Sequence, residues 1–225
     1  MVAEVEAAGI PVRYHHHEVG GPGQSEIEIL EQPLRAAADN ALRIKYIVKM
    51  TALRHKKSVT FMPKPLFNEV GSGMHFHQRL MKGPKNLFWD PKGYGGLSKL
   101  ALHYIGGLLA HAPALLAFTN PSTNSYKRLV PGFEAPVKTI FGLANRSAAV
   151  RIPKYADTAA TKRIEFRPPD ATCNVYLAMA AQLLAGLDGI RRQLDPTKLG
   201  FGPYDVNVFT LPEAEKAKLG SLPTS

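Results

Sequence analysis

The sequence predicts an α+β fold built on a largely antiparallel sheet. Three observations lead to this prediction: several segments alternate like strands, others have helical periodicity, and the two kinds do not follow a regular β-α-β order. The chain has 225 residues, of which 45% are hydrophobic and 20% charged. This composition is that of a globular protein and excludes a disordered tail.

The first half of the chain is predicted to form a hairpin, a long helix and two short strands. The hairpin strands flank a Gly-Gly-Pro-Gly turn, and the helix begins next to Pro33 with an apolar stripe along it. Prolines stop the third strand, and a glycine-rich turn precedes the fourth. These elements are residues 12–19, 24–30, 34–56, 58–62 and 74–80.

The second half is predicted to contain two long helices around a group of strands. The helices are residues 97–118 and 172–192, with a short one near 212–219, and the strands are residues 137–141, 146–152 and 161–167. Residues 119–136 are rich in Asn, Pro, Ser, Thr and Gly, which predicts a long loop. Long loops inside a compact domain are often functional.

No run of about 20 apolar residues is present, so we expect no membrane span. The most apolar stretch, residues 97–118, is interrupted by charged and histidine side chains and by Pro113. The N-terminus is acidic and lacks a signal-peptide pattern. The single cysteine, Cys173, excludes an internal disulfide and fits a reducing compartment. We therefore expect a cytoplasmic protein.

The net charge of +10 is compatible with nucleic acid, an anionic membrane surface or small polyanionic ligands. The densest basic cluster, residues 54–57, lies at the end of a predicted helix, where positive charge is favourable in any protein. The other arginines are scattered singly through the second half. This pattern favours an anion-binding pocket, and we expect no nucleic-acid partner.

Polar side chains occupy one face of four predicted strands. Side chains alternate across a strand, so residues two apart point the same way. The polar sets are His16 and Glu18; Glu26 and Glu28; His75 and His77; and Arg163, Glu165 and Arg167. Solvent-facing strands rarely favour His and Glu over Lys, Ser and Thr, so we expect these faces to line one cleft.

Such a cleft contains ligands for a divalent cation. The candidates are Glu18, Glu26, His75 and Glu165. Carboxylates with an imidazole suit Mg²⁺ or Mn²⁺, whereas the sequence lacks the cysteine cluster or paired helical histidines typical of zinc. Consecutive strand residues cannot all face one metal, so most of the histidine triplet at residues 15–17 is expected to be structural.

Arginines around Glu165 add anion-binding groups to the cation ligands, and the two together are typical of a phosphoryl-transfer site. Arginine binds phosphate and carboxylate with a planar fork, and phosphoryl transfer needs positive charge around the moving group. The candidates are Arg128, Arg146, Arg151, Arg163 and Arg167. No Walker A or Rossmann glycine motif is present. The residues alone therefore indicate a metal-dependent phosphotransferase or ligase.

Several segments resemble type I glutamine synthetases, in family order and over nearly the whole chain. They are HHHEV at 15–19, GQSEI at 23–27, FMPKPLF at 61–67, GSGMHFH at 71–77, NPSTNSYKRLVPGFEAPV at 120–137 and RIEFRPPD at 163–170. The resemblance implies a curved, largely antiparallel sheet with packed helices. It also implies two divalent cations, Mg²⁺ or Mn²⁺, in each site.

The resemblance assigns roles to individual residues. One cation would be bound by Glu18 and Glu26 and the other by His75 and Glu165. Glutamate would contact Gly71, His75, Arg128 and Arg167, and ATP would contact His77, Arg146, Arg151 and Arg163. Glu134 would close the site as a flap and help to deprotonate ammonium. The resemblance implies that the catalytic residues are Glu134, Arg128 and Arg146.

The implied reaction joins ammonia to the γ-carboxylate of glutamate, with ATP as co-substrate and γ-glutamyl phosphate as intermediate. The resemblance implies that residues 1–225 are part of the catalytic domain, without the N-terminal β-grasp domain and first catalytic strand, in a family that forms dodecamers. We expect the chain by itself to be inactive. It departs from the family at Val70, usually Asn, and at Arg79, usually Ser. A γ-glutamyl ligase for another amine and a non-catalytic remnant remain alternatives.

Overall fold

The computed structural model describes residues 1–133 and 135–224. Helices and strands alternate irregularly along the chain, as the sequence predicts for an α+β fold. In chain order they are α1 (Val2–Ala7), β1 (Val12–His17), β2 (Ser25–Ile29), α2 (Leu34–Arg54), β3 (Phe76–Gln78), β4 (Met81–Lys82), β5 (Lys85–Asn86), α3 (Lys99–Ala110), α4 (Ala112–Thr119), α5 (Thr123–Arg128), β6 (Lys138–Leu143), β7 (Ala148–Ile152), β8 (Ile164–Phe166), α6 (Val175–Arg192) and α7 (Glu213–Lys216). Short 3₁₀ helices lie at Tyr94–Gly96 and Val208–Thr210.

The central sheet has four strands in the order β3-β8-β7-β6. The β3–β8 and β7–β8 pairs are antiparallel, which confirms the prediction, but β6 and β7 are parallel. They are parallel because residues 144–147 run back along β6 instead of closing a hairpin. The amide of Asn145 holds this return by donating to the carbonyl oxygens of Tyr204 at 2.8 Å and Val206 at 2.9 Å.

Helices α3 and α6 cross at close range beside the sheet. Glycines make the approach possible: a Cβ on Gly107 would lie 2.1 Å from the Ala185 carbonyl oxygen, and one on Gly186 would lie 2.1 Å from the Tyr104 ring. Apolar side chains of α3 and the sheet form the main core, in which Ile105, Phe141 and Phe166 are completely buried. This core holds the central sheet, and hence the site on it, in place.

The hairpin, α2, α6 and the last three strands form close to the predicted positions. The prediction of a single helix at residues 97–118 is wrong. The segment is two helices, α3 and α4, bent by 73° relative to each other, and Pro113, which has no amide donor, lies in the first turn of α4. The strand predicted at residues 58–62 does not form. Residues 119–136 include a helix, α5, which Ser122 and Ser125 start with a reciprocal capping box.

No single helix in residues 1–133 and 135–224 is long and apolar enough to cross a membrane. The bent pair α3 and α4 reaches that length and composition only together.

Candidate active site

The β1–β2 hairpin lies against the central sheet, and several of the predicted site residues meet between them. In the hairpin His16 pairs with Glu26, and in the sheet His77 and Arg151 are the register partners of Glu165. The side chain of Gln24 donates to the Gly71 carbonyl oxygen at 3.0 Å and to Ser72 Oγ at 3.1 Å. These bonds join the hairpin to the glycine-rich turn that precedes β3.

Glu165 lies at the centre of the site on β8 and is only 2% exposed. Its Oε2 accepts a hydrogen bond from Arg151 Nη1 at 2.7 Å, and its Oε1 accepts one from Arg167 Nη1 at 2.7 Å. The ring nitrogen Nδ1 of His75 lies 3.1 Å from the same Oε1. Two guanidinium groups and one imidazole therefore surround a single buried carboxylate.

This arrangement lowers the pKa values of both Glu165 and His75. Burial by itself would raise the pKa of Glu165, but the hydrogen bond from His75 and the positive charge of Arg167 outweigh it and hold that pKa well below its usual range. Burial, then the charge of Arg167, lowers the pKa of His75 to about 4. At neutral pH the carboxylate is therefore ionised and the imidazole uncharged, the protonation states that metal ligands need.

The His75–Glu165 pair fits a divalent cation. Neighbouring ligands around a cation with bonds of about 2.1 Å lie about 3 Å apart, and the His75 Nδ1 to Glu165 Oε1 distance is 3.1 Å. A cation would take the place of the hydrogen that Nδ1 donates to Glu165 here, with the imidazole proton on Nε2 instead. Glu165 Oε1 also accepts from Arg167, so this arginine and a cation share one oxygen. The sequence-predicted pair is thus brought together, beside the arginines predicted for phosphate.

The other predicted pair, Glu18 and Glu26, also comes together at the turn end of the hairpin. Oxygens of both carboxylates and a ring nitrogen of His16 lie within 4.8 Å of one another. Burial, then the negative charge of Glu18, raises the pKa of Glu26. Two neighbouring carboxylates form a donor set whose negative charge a hard divalent cation would neutralise.

Arg128 contacts main chain in this structure. Its buried guanidinium donates from Nη1 to the Pro168 carbonyl oxygen at 2.7 Å and from Nη2 to the Arg167 carbonyl oxygen at 3.1 Å. Burial lowers its pKa to about 10, so it stays charged at neutral pH. Gly71 passes directly over it, since a Cβ there would lie 2.6 Å from Arg128 Cγ. Arg128 therefore fixes the loop after β8 relative to the glycine turn.

Arg163 and His77 belong to a charge network that the sequence only partly indicates. Arg163 is completely buried, and its Nε donates to His77 Nδ1 at 3.1 Å while its Nη2 donates to Glu28 Oε1 at 3.3 Å. Arg13 and Glu31 extend the network with an ion pair of 3.2 Å. Glu28 shares a strand face with Glu26, which signals its position. No sequence pattern indicated that Arg13 and Glu31 belong to this network, because only the folded hairpin brings them to Arg163.

The remaining predicted residues lie at the edge of the site or outside the described part of the chain. Arg146 is exposed in the connection between β6 and β7. Arg79, the departure from the resembling family, pairs with Glu31 at 3.4 Å and donates to the Ala160 carbonyl oxygen. Glu134, the predicted flap glutamate, lies outside the described residues.

A family model described as "Glutamine synthetase, catalytic domain" matches residues 1–225. The chain belongs to this family. Among curated relatives, the glutamine synthetase of Frankia alni is 54% identical over 225 residues, which are 100% of this chain and 47% of the relative. That of Mycobacterium tuberculosis is 50% identical over 224 residues, 100% of this chain and 46% of the relative. The chain thus spans about half the length of the curated relatives it matches.

Solved structures share the fold. A Plasmodium falciparum glutamine synthetase superposes with a TM-score of 0.79 at 39% identity, covering 85% of this chain and 37% of that one. A GmaS–ADP complex superposes with a TM-score of 0.86 at 35% identity, covering 100% and 51%. These likenesses confirm the predicted family and the α+β architecture.

Proposed function

We propose that this chain forms part of the catalytic domain of an enzyme that makes glutamine from glutamate, ammonia and ATP. The observation that carries the proposal is the Glu165 cluster: an ionised carboxylate held by Arg151 and Arg167, in contact with neutral His75. It lies on a chain about half of whose residues are identical to those of glutamine synthetases. The arginines supply positive charge where a phosphoryl group moves.

The proposed reaction has two steps. The γ-carboxylate oxygen of glutamate attacks the γ-phosphorus of ATP, the bond to the bridging oxygen of ADP breaks, and γ-glutamyl phosphate forms. Ammonium loses one proton to become ammonia, which attacks the acyl carbon; phosphate leaves with the bonding electron pair, and the new amide nitrogen loses a second proton to give glutamine. Bound Mg²⁺ or Mn²⁺ supplies Lewis-acid stabilisation of the phosphate oxygens.

The chain's own residues would bind the reactants and the cations. Glu18 with Glu26, and His75 with Glu165, would each hold one cation. Arg151 is well placed for phosphate: Nη1 is committed to Glu165, while the buried Nε has no hydrogen-bond acceptor within the described part of the chain. A phosphate oxygen would satisfy that donor.

The other family positions complete the proposal. Arg167 and the Gly71 turn would contact glutamate, with Arg128 holding the loop that carries Arg167. His77 and Arg163 would line the nucleotide side together with exposed Arg146. Glu134 would close over the site, exclude water from the acyl phosphate and accept a proton from ammonium.

Assembly and location follow from the same family. We propose a cytoplasmic homo-oligomer, a dodecamer in its full-length form, with no nucleic-acid partner. Exposed apolar side chains on α2 and α6, among them Leu53 and Leu184, support the proposal of further protein contacts.

A coupled assay of ADP and glutamine formation tests the function in the longest available form of the protein. We expect activity that needs glutamate, ammonia, ATP and Mg²⁺ or Mn²⁺ together. Glu165→Gln, which keeps the shape but removes the charge, should lower kcat/KM by two orders of magnitude or more, as expected for lost metal or phosphate contacts. Turnover of methylamine in preference to ammonia, or near-normal activity of Glu165→Gln, would contradict the proposal.

A further inference from the structure

A pocket of about 270 Å³ lies between α3 and the segment that follows α6. Lys99 and His103 line it from α3, where they share one face because they are four positions apart. Asp195 and Lys198 line it from the segment after α6. The rest of the wall consists of Gln193, Leu194 and Leu199. Sites for drug-sized ligands have volumes of about 300–1,000 Å³, so this pocket fits a smaller ligand.

The basic side chains of this pocket have hydrogen-bond donors that the protein does not use. His103 is only 9% exposed, yet neither of its ring nitrogens has a hydrogen-bond partner in residues 1–133 and 135–224. Within the same part of the chain, the ammonium groups of Lys99 and Lys198 make no hydrogen bond or ion pair. Buried polar groups in proteins are almost always paired. A ligand that accepts hydrogen bonds would supply the missing partner.

The segment that carries Lys198 is fixed against α3 by main-chain contacts. Asp195 Oδ1 accepts hydrogen bonds from the main-chain amides of Thr197 at 2.9 Å and Lys198 at 3.3 Å. The Leu194 carbonyl oxygen packs directly on α3, since a Cβ on Gly106 would lie 2.0 Å from it. The two walls of the pocket therefore have a set spacing, and a ligand would bind without reordering the backbone.

The charges around His103 favour a negatively charged ligand. Burial, then the positive charge of Lys99, lowers the pKa of His103, and the negative charge of Asp195 only partly offsets this. An anion beside the ring would favour the protonated imidazole. Two ammonium groups and an imidazolium would then face the single carboxylate of Asp195. The excess of two positive charges matches a dianion.

We propose that this pocket binds a small dianionic oxyanion of the phosphate type, with Lys99, Lys198 and His103 as its hydrogen-bond donors. An ammonium and an imidazolium both make strong charge-assisted bonds to such oxygens. The proposal does not depend on the proposed function, because none of these residues belongs to the cleft around Glu165.

NMR of the histidine rings during a titration with sodium sulfate tests the site in the 225-residue chain. Sulfate has the shape of phosphate and keeps its double charge near neutral pH. We expect the His103 signal, identified by its absence in His103→Gln, to move and the pKa of His103 to rise. A His103 signal that stays in place at about 10 mM sulfate, which nearly saturates a millimolar site, would overturn the proposal. Movement of the His75 and His77 signals alone would place the sulfate at the Glu165 cluster and would overturn it as well.

Charge variants separate a specific site from general attraction to a basic chain. Lys99→Gln and Lys198→Gln should each weaken sulfate binding about tenfold or more, as for a lost hydrogen bond to a charged group. Lys49→Gln, on the exposed face of α2, is the matched control and should leave the affinity unchanged. Equal losses in all three variants would contradict the site.

The carboxylate of the pocket provides a test with the opposite sign. Asp195→Asn keeps an oxygen that can accept from the loop amides but removes the negative charge, so it should tighten sulfate binding about threefold. Acetate, which carries a single charge, should bind more weakly than sulfate. Weaker sulfate binding by Asp195→Asn, or equal affinities for acetate and sulfate, would contradict a dianion site.

Discussion

Glu165 is the residue on which most of the site's electrostatics depends. Glu165→Gln removes the carboxylate charge that pairs with Arg151 Nη1 and with Arg167 Nη1, each at 2.7 Å. Breaking a buried pair by removing one partner costs about 3–5 kcal/mol, so we expect a loss of this size in urea unfolding. Glu213→Gln is the control, since Glu213 is exposed and pairs with Lys216 at the surface, and it should leave stability unchanged.

The same variant predicts a pH dependence. The folded-state pKa of Glu165 lies well below the ordinary value of 4.5. Its contribution to stability is therefore fully present above pH 4.5 and is lost as the pH falls through the lower folded-state pKa. The stability difference between wild type and Glu165→Gln should be constant near neutral pH and narrow on acidification below 4.5. A stability difference that widens on acidification would contradict a lowered pKa of Glu165 in the folded state.

Arg163 illustrates how much a guanidinium does that an ammonium cannot. Its Nε, Nη1 and Nη2 donate to three separate partners: His77, the Thr161 carbonyl oxygen and Glu28. Arg163→Lys keeps the charge but loses the fork, and we expect a loss of about 2–3 kcal/mol in the free energy of unfolding. Arg35→Lys on the exposed face of α2 should change it by less than about 0.5 kcal/mol. Equal losses of unfolding free energy in the two variants would show that the charge of Arg163, and not its forked geometry, stabilises the fold.

At the scale of elements, the crossing of α3 and α6 decides how closely the helices pack. A Cβ at Gly107 would lie 2.1 Å from the Ala185 carbonyl oxygen and 2.8 Å from the Gly189 amide nitrogen, which are main-chain atoms that cannot rotate away. Gly107→Ala should therefore lower stability by about 1–3 kcal/mol, despite the better helix propensity of alanine. Thermal unfolding followed by circular dichroism measures the effect.

The control for this crossing is Ala180→Ser on the exposed face of α6. It makes a change of similar size on the same helix without entering the interface, and the expected effect is below about 0.5 kcal/mol. A Gly107→Ala protein as stable as wild type would mean that the helices do not cross as closely as described.

At the scale of the whole molecule, large apolar side chains remain on two neighbouring helices. Leu53 on α2 is 66% exposed and Leu184 on α6 is 67% exposed. Patches of this kind mark contact surfaces. We expect the chain to form particles larger than its own 24.6 kDa in light scattering coupled to size exclusion, and Leu184→Lys to lower their mass. Thr197→Lys adds the same charge at a polar exposed position and should leave it unchanged, whereas a monomer at every concentration would contradict the prediction.

The sequence by itself determined the elements whose signals are local. The hairpin and α2 follow from patterns within a few residues, and so do the strand faces that carry Glu26 and Glu165, because side-chain periodicity depends on nearest neighbours. The motifs also pointed to the family, which the comparison with glutamine synthetases confirms. The pairing of His75 with Glu165 was predicted through that resemblance.

Only the tertiary structure decided which groups neutralise one another. Arg163 and Glu28 are 135 positions apart, and the parallel β6–β7 pair depends on bonds from Asn145 to residues around 205. The break between α3 and α4, and the place of His16 beside Glu18, likewise appear only in the folded chain. Hydrogen bonds and charges act over a few ångströms in space, and that proximity is set by packing, which local periodicity does not encode.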